Sequence, residues 1–171
     1  RDRSGAANPG QALQRPRGLC VRAAELSAVR EAEREVDFVM STGKRDSYGE
    51  IVRQNWRLER FTGNPVALFV HISGALPIGQ WLNVRVEDDD AKGPALKGTL
   101  RVASVQANPL AENVWHSILE RTLRAVSVGF VPHKLSCEEI DGEEVVILDD
   151  CELFECSVVP IPANPDALVE M

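Results

Sequence analysis

RAVSVGFVPHKL (residues 124–135), EEIDGEEVV (138–146) and VVILDDCELFECSVVPIP (145–162) follow one another and decide the fold class. The first reads as a strand that starts almost directly after a helix. Asp141-Gly142 in the second is a two-residue hairpin signal, because both residue types accept the positive φ that such turns need. The third supplies one or two further strands. The C-terminal third is therefore strand, tight turn, strand.

Working back from this hairpin, a helix is predicted over about 109–124. Asn108 is a good N-cap and Pro109 a good first residue, and Leu110, Val114, Trp115, Ile118, Leu119 and Leu123 recur at helical spacing. His116 falls on the polar side with Glu112 and Glu120. Before the helix, LKGTLRVASV alternates as the antiparallel partner of PIGQWLNVRVED, across a turn at Asp88–Pro94. VALFVH (66–71) is apolar at successive positions, as a strand buried on both faces would be. QNWRLERFT (54–62) reads as a short helix or an irregular loop. EVDFVMS (35–41) and LCVRAAEL (19–26) read as short strands. About seven strands pairing with near neighbours, with one or two helices, point to an antiparallel sheet closed or nearly closed into a barrel, the long helix covering one flank.

The chain has 171 residues, enough for one domain with a real core. Residues 1–18 carry four arginines, two prolines and three glycines but almost no large apolar side chains, so they read as a flexible basic arm outside a domain at 19–168, with 169–171 as its end. The formal charge of −7 argues against nucleic-acid binding. No apolar run approaches 18 residues, so no membrane-spanning helix is expected. Cys20, Cys137, Cys151 and Cys156 include no CxxC spacing, and His71, His116 and His133 form no HExxH, so no metal site and no cofactor are expected.

Three positions carry possible chemistry. Ser127 opens a strand beside Gly129, a setting with room for a substrate carbonyl; on sequence alone it is more readily a small strand residue. The surrounding AVSVGF half matches a GxSxG elbow. However, Ala125 replaces the first glycine, the order is helix then strand, and the one plausible base, His71, precedes the serine. His71 ends an apolar strand, and a histidine there either activates a hydroxyl or simply caps a loop; His133 ranks second as base. Glu155 lies among Phe154, Cys156 and Val158 and shares a strand face with Ser157 and Val159, so its carboxylate needs a partner. A histidine is one such partner and a structural cation another. Glu152 is expected on the opposite face and is the fallback, with Asp149 or Asp150 behind it.

Four segments in order, RDSYGEIV, ALFVHISGALPIG, LRAVSVGFVP and LFECSVVPIPANPDAL, resemble the prohead proteases of tailed phages, relatives of the herpesvirus assemblins. The resemblance spans residues 37–168. It implies an assemblin-like β-barrel with flanking helices. It also implies a serine endopeptidase that cleaves the major capsid protein and scaffold inside the immature prohead, in the host cytoplasm, with self-cleavage and possible homo-oligomers. By position it makes Ser127 the nucleophile, His71 the base and Glu155 the third member. A non-catalytic capsid or tail protein on a related barrel is the rival reading. A cysteine peptidase using Cys137 or Cys156 is a weaker third.

Overall fold

The computed structural model describes residues 28–170. The arm at 1–18 and the strand expected at 19–26 lie outside the described residues. Within the described residues nine strands form one sheet: β1 (Val29–Arg30), β2 (Glu35–Thr42), β3 (Ile51–Val52), β4 (Trp56–Arg57), β5 (Val66–Phe69), β6 (Gly79–Asp89), β7 (Gly93–Val102), β8 (Ala125–Ile140) and β9 (Glu143–Val159). Among the described residues two helices accompany them, α1 (Glu59–Gly63) and α2 (Pro109–Leu119).

The mainly β expectation holds, but the sheet is neither closed into a barrel nor wholly antiparallel. Its order is β1-β2-β7-β6-β5-β9-β3, with β4 and β8 also on β9. The reason lies in the length of β9. At 17 residues it gives one edge in succession to β3, β4 and β5, all parallel to it, and the other edge to β8. Parallel pairings need chain crossovers that local alternation does not reveal. Between β2 and the start of β8, the C-terminal segment makes only isolated bridges, Phe38 with Val169 and Ala125 with Leu168.

The hairpin signal holds. Asp141 (φ 54°) and Gly142 (φ 81°) turn the chain between β8 and β9, and Ile140 pairs with Glu143 across them. Asn108 caps α2 by accepting from the Leu110 N–H at 3.0 Å. The helix stops at Leu119, short of the expected 124, because Arg121 takes a left-handed φ of 61°, a conformation that commonly ends a helix. Its buried stripe of Ala111, Val114, Trp115 and Ile118 joins Val36, Leu100, Val102 and Val126 in the main core. Burial of each large member is worth roughly 1.5–3 kcal/mol. Trp81 anchors the same core, edge-on to Phe38 and donating its indole N–H to the Cys156 carbonyl at 3.0 Å.

The quoted motifs separate into structural and site-bearing ones. RDSYGEIV is a turn leading into β3, in which Asp46 Oδ1 accepts from the Tyr48 and Glu50 N–H groups, and it docks by Arg45 on Glu143 at the hairpin tip. In the PIG turn Ile78 is buried, and a Cβ on Gly79 would strike the Arg101 carbonyl. In PANPDA, Asn164 donates to the Thr42 carbonyl, and Thr42 donates to Asp166, tying the C-terminal segment to β2.

Candidate functional site

One face of the β8–β9 ladder is packed core: Val126, Cys156 and Val158 are buried there, with Ala67 of β5 alongside. Directly paired residues of an antiparallel ladder share a face. Ser127 pairs with Ser157 and Gly129 with Glu155, so these four residues share the other face. A Cβ on Gly129 would collide with the Glu155 carboxylate as it is placed.

β5 runs parallel to β9, with Leu68 opposite Ser157 and Phe69 opposite Val158, and its end delivers His71 to the same place. His71 is not on the strand as expected but in the turn just after it. Val70 (φ 46°) and His71 (φ 62°) are consecutive left-handed residues, and neither is glycine. Each costs about 1–2 kcal/mol, and the cost is greater for β-branched Val70. Such strain persists only where surrounding bonds hold it. Here the Val70 N–H donates to the Val158 carbonyl at 3.1 Å, and the His71 N–H donates to Ser157 Oγ at 3.1 Å.

The strained turn brings His71 Nδ1 to 2.6 Å from Glu155 Oε1. The other oxygen, Oε2, accepts from Ser157 Oγ at 2.7 Å. Glu155 thus has a partner for each oxygen, which answers the desolvation problem that its apolar neighbours pose. A carboxylate only accepts, so the contact places a hydrogen on Nδ1 and leaves the Nε2 lone pair free to take a proton. The His71 side chain is 45% exposed while that of Glu155 is 20% exposed, so the imidazole is the more solvent-accessible of the two. Ser127 is half-buried on this face. Among the described residues no hydrogen bond joins the His71 ring to Ser127; the ring's bond is to Glu155.

Glu152 departs from expectation. A register shift skips Phe154, so that Gly129 pairs with Glu155 and Val131 with Glu152. Gly129 and Val131 are two apart on β8, so Glu152 shares the face of Glu155 instead of lying opposite it. It nevertheless pairs with His133 Nε2 at 3.1 Å and lies 4.0 Å from Arg60, away from His71. Asp150 is bound to Arg57, and Asp149 accepts from Asn55. His116 pairs with Glu112 on the outer side of α2. Ser157 was missed as a site residue. Its visible signal was the shared face with Glu155, the only hydroxyl in the run Cys156–Val159.

The thiols are poorly suited to nucleophilic work. Burial pushes Cys151 up to about 12 and raises Cys156 as well, and the hydrogen bond with Glu144 raises exposed Cys137. Among the described residues no three His, Cys, Asp or Glu side chains cluster as a metal site, and no helix is long and apolar enough to cross a membrane.

Comparison with known protein families matches residues 57–171 to the caudovirus prohead serine protease. The matched stretch includes β5, the His71 turn, β8 and β9, and so every residue of the site just described. No curated protein and no solved structure matches the chain. With two thirds of its length matched in one piece, the chain belongs to the caudovirus prohead serine protease family.

Proposed function

We propose that this protein is a serine endopeptidase that cuts the capsid and scaffold proteins of a phage prohead, with Ser127 as nucleophile, His71 as general base and Glu155 as the residue that orients the base. The observation that carries the reading is the 2.6 Å contact between His71 Nδ1 and Glu155, made from a strained turn beside the ladder that bears Ser127. In this mechanism His71 Nε2 takes the proton from Ser127 Oγ as the hydroxyl attacks the peptide carbonyl. The imidazolium, stabilised by Glu155, then gives that proton to the leaving amine, and an acyl-enzyme remains. Water, deprotonated by the same nitrogen, releases the acyl group and restores the serine. The Ser127–His71 hydrogen bond is taken to form when substrate binds, as catalytic bonds commonly tighten only in the complex.

A purely structural shell protein is the rival reading. It has no use for a half-exposed imidazole held on two left-handed residues and clamped to a partly buried carboxylate. The deciding experiment is co-expression with the capsid protein, together with fluorophosphonate labelling and mass-spectrometric location of the adduct. Ser127→Ala is expected to abolish both processing and labelling while the domain stays folded, a loss on the order of 10⁶ in rate. Normal processing by that variant would sink the assignment. The site of action in this reading is the immature prohead within the host cell.

A further inference from the structure

We propose that Ser157 is a positioning residue of this site, its single hydroxyl locking both the His71 turn and the Glu155 carboxylate. The inference rests on the His71–Glu155 reading above and adds to it a residue that never meets substrate. Ser157 is fully buried, at 0% exposure, so it is neither a nucleophile nor a substrate contact. Yet its hydroxyl is used in both senses. It accepts from the His71 backbone N–H at 3.1 Å and donates to Glu155 Oε2 at 2.7 Å. Its neighbours Cys156, Val158 and Val159 are all buried and apolar, and alanine or valine would serve packing as well.

The two bonds act on different degrees of freedom. The bond from His71 holds a backbone that would otherwise relax out of the left-handed region, and so sets where the imidazole starts. The bond to Oε2 turns the carboxylate about its Cγ–Cδ axis so that Oε1 faces Nδ1. One oxygen atom therefore couples the place of the base to the direction of its anchor. Without it, Glu155 keeps its charge and His71 its ring, but their 2.6 Å contact loses both supports.

The test is the rate of Ser127 labelling by a fluorophosphonate, which reads activation of the nucleophile without a natural substrate. Ser157→Ala is expected to slow labelling roughly 10- to 100-fold, the size of one hydrogen bond to a charged group, with thermal unfolding little changed. In a Glu155→Gln background the same substitution should slow labelling by less than it does in the wild type, because only its hold on the His71 backbone is left to lose. A generic packing defect would instead multiply with Glu155→Gln. Multiplying effects would overturn the proposal, as would a wild-type labelling rate in Ser157→Ala. Should the alanine variant fail to fold, Ser157→Cys fills similar space with a weaker donor, and a wild-type rate there has the same meaning. An adduct found on a residue other than Ser127 would instead defeat the underlying mechanism, while an adduct on Ser127 at an undiminished rate defeats only the role of Ser157.

Discussion

Both oxygens of Glu155 are occupied, one by His71 and one by Ser157, and the carboxylate sits where a side chain on Gly129 would have to be. Two residue-level outcomes follow. Glu155→Gln should keep the fold and lower cleavage of the capsid protein by roughly 10²–10⁴-fold, less than loss of the nucleophile, because the orienting member of such a set contributes less. An unchanged cleavage rate would remove Glu155 from the site. Gly129→Ala should push the carboxylate off Nδ1 and slow fluorophosphonate labelling by on the order of tenfold or more, since small displacements of positioned groups are costly; labelling at the wild-type rate would mean that Glu155 tolerates the shift. His71, Ser127 and Glu155 were each legible as unusual in type or setting: a histidine at a strand end, a serine beside glycine, a carboxylate among apolar residues. Ser157 was not, because a small hydroxyl inside an apolar run reads as core until its two bonds are seen. Nor was the left-handed turn at Val70-His71, since neither residue type advertises positive φ.

Elements carry a second layer of control over the same turn. Asn108 caps α2 through Oδ1 and also donates through Nδ2 to the Leu76 and Pro77 carbonyls, each at 3.1 Å. Those carbonyls belong to the loop that leaves His71, so one side chain joins the long helix to the His71 segment. Asn108→Ala removes both functions and should destabilise the domain by about 0.5–2 kcal/mol from the cap alone, with more for the two carbonyls left without a donor. Asn108→Ser keeps the cap and drops the loop contacts. Urea unfolding should therefore place serine between alanine and wild type, and equal midpoints for all three would contradict the dual role. The strands and the helix were readable from period and caps. The skipped Phe154 was not, because a bulge leaves no mark in the alternation, yet it decides that Glu152 faces the same side as Glu155. The parallel neighbours of β9 were equally hidden, since alternation reports which face is buried and not which strand lies alongside.

At the scale of the molecule, charge and the open seam govern stability. Hydrogen bonds from Arg101 to Glu35 and from Lys97 to Glu87 and Asp89 lower these carboxyls below their ordinary values. At Asp37 burial opposes the same change, but bonds from Arg30 and Thr99 outweigh it, and Asp150, bonded to Arg57, is lowered to about 2. Groups lowered by folding bind fewer protons folded than unfolded. They add stability above the ordinary carboxylate range, and that stability is lost as pH falls through their folded values. The urea midpoint should hold near neutrality and fall from about pH 4.5 toward pH 2, and a midpoint that rises on acidification would refute this sign. The seam makes the stronger prediction. Residues 167–170 bridge β2 and β8: Val39 N–H donates to Leu168 O (3.0 Å), Glu170 N–H to Asp37 O (2.9 Å), Val126 N–H to Ala167 O (3.0 Å) and Val169 N–H to Arg124 O (2.9 Å). Glu170 also meets Lys97 Nζ at 2.6 Å, beside Glu87 and Asp89 on the same ammonium. At about 0.5–1.5 kcal/mol net per hydrogen bond, the four backbone bonds are a large share of the ~5–15 kcal/mol that holds a typical domain together. Val126 precedes Ser127, so the end of the strand that carries the serine is fixed to the rest of the sheet by this segment. Deleting residues 167–171 should therefore lower the urea midpoint sharply. It should also slow Ser127 labelling at temperatures where the shortened protein is still folded. Lys97→Met separates the contributions, since it removes the ion pair but none of the four backbone bonds, and should cost stability while leaving labelling nearly intact. A truncated protein that unfolds at the wild-type midpoint and labels at the wild-type rate would mean that β8 is held by β9 alone.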